Sequence, residues 1–151
     1  MYTPHTVSLI SYHGSEPYLT ILRGVMLQGS NGRGALRRGE QIEDNITVYI
    51  PFSVKAETPS GESASFLSPK NYASSIDPEN HWTLQPEGES AGRSGFFVKG
   101  ELAAPVSLEE AREQYDCAYA IAGVTVHDYG SPGMQHYEVF TKVASRYYQY
   151  S

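Results

Sequence analysis

Residues Ile46 to Val54, Ile-Thr-Val-Tyr-Ile-Pro-Phe-Ser-Val, constrain the fold more than any other stretch of the chain. Ile46, Val48, Ile50, Phe52 and Val54 alternate with Thr47, Tyr49, Pro51 and Ser53. Successive side chains of a strand point to opposite faces, so this spacing makes one face wholly apolar and the other half-polar. A helix would scatter the same five apolar residues around its circumference. The stretch therefore predicts a strand with one side on a core. Pro51 lacks an N–H, which predicts a sheet edge, a bulge or an unused donor position.

The flanking sequence repeats the pattern. Thr6 to Tyr12 sets Val7, Leu9 and Ser11 on one face and Ser8, Ile10 and Tyr12 on the other. Tyr18 to Leu27 sets Leu19, Ile21, Arg23, Val25 and Leu27 on one face, with Gly24 inside the run as a bulge or bend. The link His13-Gly14-Ser15-Glu16-Pro17 joins the two as a hairpin. Ser68-Pro69 reads as N-cap and first turn of a short helix that Asp77-Pro78 stops. Trp82 to Leu84 is a short strand candidate, and Phe96 to Leu102 is another β run. Ser107-Leu108-Glu109-Glu110 is a capping box, predicting a helix from about 107 to 116. Tyr119–Tyr129 and His136–Ala144 flank Gly130-Ser131-Pro132-Gly133 as a second hairpin.

These runs predict a mainly β fold: a small antiparallel β-barrel or sandwich of seven to eight strands with one or two short helices. The expected core is Val7, Leu9, Ile21, Val25, Ile46, Val48, Ile50, Phe52, Phe97, Ile121, Val126 and Val139. A chain of 151 residues, with no internal repeat and no break in composition, reads as a single β-rich domain over 1–151. No run nears the length of a membrane helix, and the N-terminus has no charged-then-apolar leader, so the expectation is a cytosolic site of synthesis.

Charge and chemistry exclude several classes. A formal net charge of -6 argues against a general nucleic-acid binder, which needs a basic face. The single cysteine, Cys117, permits no internal disulfide and no Cys-rich zinc site; it reads as a buried small apolar residue. No Gly-x-Ser-x-Gly elbow singles out a serine, and the Glu109-Glu110 pair is accounted for by helix capping. The expectation is a protein that is not an enzyme and has no cofactor. His127 and His136 are symmetric about the last turn and face each other in a regular register. Asp128 would point away, and two ligands do not make a site, so no metal is assigned.

Residues 28–39, Gln-Gly-Ser-Asn-Gly-Arg-Gly-Ala-Leu-Arg-Arg-Gly, are of a different kind: a mobile Gly/Arg loop, locally basic on an acidic chain. It carries neither a P-loop nor a dinucleotide fingerprint. It is either a solvated loop or an arm that orders on a partner, with Arg33, Arg37 and Arg38 making the contact. Twelve tyrosines against five phenylalanines favour half-buried sheet faces and interfaces. Tyr147, Tyr148 and Tyr150 at the C-terminus are the candidate interface residues.

The order of phrases MYTPHTVSLIS, YLTILRGVMLQ, ITVYIPFSV, FFVKGEL and GSPGMQHYEV resembles a family of uncharacterised structural-module proteins of tailed phages and prophages of Gram-positive bacteria. The first quarter is more loosely similar to head-closure, or head–tail joining, proteins. The extra middle segment and the helix at 107–116 depart from those compact proteins. The resemblance implies a non-enzymatic morphogenesis protein, a head–tail connector component, found in host cytoplasm during assembly and then in the virion. It implies a ring-forming homo-oligomer partnered by portal or adaptor, with transient DNA contact by the loop left open and no membrane association. A tail terminator or tail-completion protein, partnered by the tail tube, is the alternative within the particle. A β-sandwich module for a small molecule or carbohydrate is the alternative outside it, with tyrosines and Trp82 lining a groove.

Overall fold

The computed structural model describes residues 3–29, 46–86, 94–114 and 118–144. The first hairpin is β1 (His5–His13) and β2 (Glu16–Gly29), paired from His13↔Glu16 to His5↔Val25. Gly14 supplies the positive φ that a two-residue hairpin turn needs. Gln28 and Gly29, expected in the loop, continue β2 and pair with Thr47 and Ile46 of β3 (Ile46–Pro51). The remaining strands are β4 (Lys55–Glu57), β5 (Ser65–Phe66), β6 (His81–Trp82), β7 (Phe96–Lys99), β8 (Ala118–His127) and β9 (His136–Ala144). Two short helices, α1 (Pro69–Ala73) and α2 (Leu108–Gln114), complete the described elements apart from two 3-10 turns.

The sheet runs β1-β7-β8-β9-β3-β2 and closes through β2 on β1, a six-stranded antiparallel barrel. The strand β4 extends the β2 edge beside β3. Closure removes the open edge that a small sheet would otherwise expose. It also decides among the readings of Pro51 in favour of an unused donor position. The strand β3 is interior, paired with both β2 and β9, and Pro51 is its last residue, where no further N–H is required. The strand predicted through Val54 stops there, because the Val54 N–H turns back to the Pro51 carbonyl at 2.9 Å. Phe52, expected in the core, lies in that turn and is 39% exposed.

Two apolar clusters hold the fold. The barrel interior contains Val7, Leu9, Leu22, Val25, Val48, Ile50, Phe97, Tyr119, Ile121 and Val139 among others, all essentially buried. A second cluster lies outside the wall, where Ile10, Leu19, Ile21, Phe96 and Val98 meet Leu102 and Ala111 of the 100–114 segment. The strand β1 is therefore buried on both faces, as its doubly apolar alternation requires. At roughly 25 cal/mol per Å² of apolar area, each buried large aliphatic side chain contributes on the order of 1.5–3 kcal/mol.

Bulges decide which face a residue joins. The register shifts by one residue at Gly24, whose φ is +92°. Leu19, Ile21 and Arg23 consequently face outward, while Val25 and Leu27 turn inward; simple alternation put all five together. A second shift, between Ile121 and Gly123, brings Ile121 and Val124 to the interior. Val126 shares that face but sits beyond the packed interior and is 50% exposed, so it is not the core residue expected.

The capping predictions describe the helices well. Ser68 Oγ accepts from the Asn71 N–H at 3.3 Å. The Ser107 Oγ accepts from the Glu110 N–H at 3.2 Å, and Glu110 Oε1 accepts from the Ser107 N–H at 2.9 Å, closing the capping box. The helix runs from Leu108 to Gln114, with 115–117 outside the described residues.

Candidate functional site

The expected loop contacts Arg33, Arg37 and Arg38, the C-terminal tyrosines Tyr147, Tyr148 and Tyr150, and Cys117 all lie outside the described residues. The described residues on either side of 30–45, Gly29 and Ile46, are directly paired across β2 and β3.

At the opposite end of β3, the β8–β9 hairpin gathers a polar cluster on the outer wall. His127 and His136 are cross-strand partners, as their symmetry about the turn predicts. Their rings stack with centroids 4.6 Å apart and planes 18° from parallel. Glu138 is two residues on from His136 and therefore on the same face. Its Oε1 lies 2.8 Å from His127 Nε2. One nitrogen of each ring and a Glu138 oxygen all lie within 4.8 Å of one another, and all three residues are half-buried. Glu138 is the residue that sequence reasoning missed. The usable signal was His-x-Glu on one strand opposite a histidine on the other; attention to the adjacent Asp128, which has the wrong parity, obscured it.

Both rings are held from behind. His136 Nδ1 lies 2.8 Å from the Met134 carbonyl, an acceptor only, so that nitrogen carries the proton. The 3-10 turn Pro132–Met134 precedes His136 and sets this carbonyl. His127 Nδ1 lies 3.1 Å from the Tyr129 hydroxyl, which accepts or donates. Tyr49 of β3 tilts against His136 with centroids 5.8 Å apart.

A second feature is an apolar groove of about 360 Å³ near the same end, lined chiefly by Phe66, Pro69, Leu84, Val124, Val126 and Tyr137. Tyr137 packs on Phe52 and Phe66, each at 4.8 Å between centroids. Burial pushes its hydroxyl above the usual tyrosine value. Among the described residues its lining contains no carboxylate, imidazole or thiol. Trp82, which would line a groove in a carbohydrate module, is instead buried in the interior against Phe66. Tyr12, Tyr72 and Tyr119 are likewise buried, so much of the tyrosine surplus serves packing.

Arg23 bridges Glu57, at 3.0 Å, and Glu101, at 3.1 Å through its second nitrogen. The guanidinium holds the Glu101 carboxyl below its ordinary value. Among the described residues no helix is long and apolar enough to cross a membrane.

No curated protein and no solved structure matches the chain. A family model described as a family of unknown function (DUF6751) matches residues 11–142, from the last three residues of β1 into β9 and including the whole histidine cluster. On that match the chain belongs to this family of unknown function.

Proposed function

We propose that the protein is a non-enzymatic structural component of a tailed-phage or prophage particle, a head–tail connector of the head-closure kind. The reading rests on the resemblance of its phrases to such proteins, and one observation carries it further. The described barrel is small, closed and packed with side chains, and Gly29 and Ile46, which flank residues 30–45 in sequence, are paired on it. Such a packed barrel is a rigid scaffold for segments that carry function. The sequence between them contains Arg33, Arg37 and Arg38 on a chain of net charge -6. A basic arm on an acidic body suits contact with an acidic neighbour or passing DNA without general adhesion to nucleic acid. Copies then form a ring on the portal or adaptor, with Tyr147, Tyr148 and Tyr150 contributing to the interface. Assembly takes place in host cytoplasm and the product is the virion.

Quantitative mass spectrometry of purified DNA-filled particles and of separated tails tests this. The expected result is a fixed copy number in filled heads and none on free tails. Presence on free tails alone supports a tail terminator in its place, and absence from both overturns the structural reading. A variant lacking residues 30–39 retains every described strand, and the expectation is a folded protein that no longer supports head–tail joining.

A further inference from the structure

The outer wall of the β8–β9 hairpin carries a ligand set that the connector reading does not use, and the inference from it does not depend on that reading. We propose that His127, His136 and Glu138 form a binding site for one divalent transition-metal ion of the zinc class. Two imidazole nitrogens and one carboxylate oxygen are a ligand set suited to such an ion, with the remaining position open to solvent.

Three observations support it. The ligand atoms lie within 4.8 Å of one another on the paired strands of one hairpin. Tetrahedral zinc with bonds of about 2.1 Å needs its ligand atoms about 3.4 Å apart. The largest separation exceeds this by at most about 1.4 Å, a distance on the scale of side-chain rotation. Next, the His136 Nδ1–H is committed to the Met134 carbonyl at 2.8 Å, which leaves the Nε2 lone pair as the ligand. A histidine whose other nitrogen donates to a carbonyl is the usual arrangement behind a metal, because it sets ring orientation and raises basicity. Finally, His127 has the same option. Its Nδ1 faces the Tyr129 hydroxyl at 3.1 Å, while its Nε2 already meets Glu138 at 2.8 Å. On metal binding His127 Nε2 gives up its hydrogen bond to Glu138, both atoms become ligands, and Nδ1–H donates to Tyr129.

His81 is the contrast. It lies beside Asp77 at 3.3 Å, but no third ligand-type group joins that pair among the described residues. Equilibrium dialysis of untagged protein against Zn²⁺ near neutral pH, with metal counted by elemental analysis, tests the proposal. The expected result is one Zn²⁺ per chain. The affinity falls at least about tenfold in His136→Ala, in His127→Ala and in the nearly isosteric Glu138→Gln, and is unchanged in His81→Ala. Circular dichroism establishes that each variant is folded, and the conservative Glu138→Gln serves if a histidine variant is not. Failure of the wild type to take up stoichiometric Zn²⁺, or equal uptake by the His127→Ala, His136→Ala double variant, overturns the assignment.

Discussion

Gln85 is the buried residue whose replacement tests the fold most sharply. Its side-chain Nε2 donates to the Tyr12 carbonyl at 2.7 Å, and its Oε1 accepts from the Tyr12 N–H at 2.8 Å. The pairing of β1 with β7 ends at Ile10↔Phe96, two residues short of Tyr12. The amide of Gln85 thus stands in for the strand residue that β7 lacks there. Gln85 is 6% exposed, so little water can replace it. Gln85→Leu removes two hydrogen bonds and leaves one backbone donor and one acceptor orphaned. Each orphan costs about 1–3 kcal/mol, and the added apolar burial returns about 1 kcal/mol, for a net loss of about 3 kcal/mol. For a chain of this length that lowers Tm by about 6–12 °C. Urea titration followed by the fluorescence of Trp82, the single and buried tryptophan, measures it. A loss below about 1 kcal/mol at unchanged m refutes the pairing. Gln85→Glu adds a second check. A protonated carboxyl restores the donor to the Tyr12 carbonyl, whereas the carboxylate faces it with repulsion. The folded state thus raises the carboxyl pKa of this variant. Its stability is greatest below the unfolded glutamate value and falls as pH rises through the folded one, opposite to a salt-bridged acid.

Gly95→Ala is predicted to destabilise by about 1–3 kcal/mol in chemical denaturation, because the new Cβ would stand 2.9 Å from the Ile10 carbonyl oxygen, a backbone atom held in β1. Gly95 donates to the Gln85 carbonyl at 3.0 Å, so its loss and that of Gln85 should not add. Burial pushes the hydroxyls of Tyr72 and Tyr137 above their ordinary value. Their contribution is therefore intact below about pH 10, the unfolded tyrosine value, and is lost as pH rises beyond it. Among the described residues the buried Tyr72 hydroxyl has no hydrogen-bond partner. Tyr72→Phe should then blunt alkaline unfolding, monitored by tyrosinate absorbance, at no cost to stability near neutral pH.

Local chemistry was legible wherever the cause lies within a few residues. The Ser107 and Ser68 caps, the Gly14 turn and the two hairpins follow from hydrogen-bonding groups and φ preferences that neighbouring residues supply. The alternation in β1 and β3 likewise told which residues would be buried, since the pleat has a period of two whatever the strand pairs with. Sequence alone therefore determined a mainly β chain of hairpins with two short capped helices.

Gly24 marked a bulge or bend in β2 from the sequence, but which faces it exchanged, and the break in parity along β8, were decided only in three dimensions. A bulge forms where two strands must both pair and curve around a closing barrel, and the partner strand is distant in sequence. The bulge at Gly24 sends Ile21 to the outer cluster and Val25 to the interior, although both were rightly expected to be buried. The shift after Ile121 turns His127 to the outer wall. There it meets His136, as the symmetry about the turn predicts, and with it Glu138, which shares the His136 face. Closure itself, through β1–β7 and β3–β9, joins segments some ninety residues apart, and no local preference encodes that choice. It follows from burying both faces of β1 and leaving no strand edge of the barrel unpaired, a condition that only the whole chain can meet.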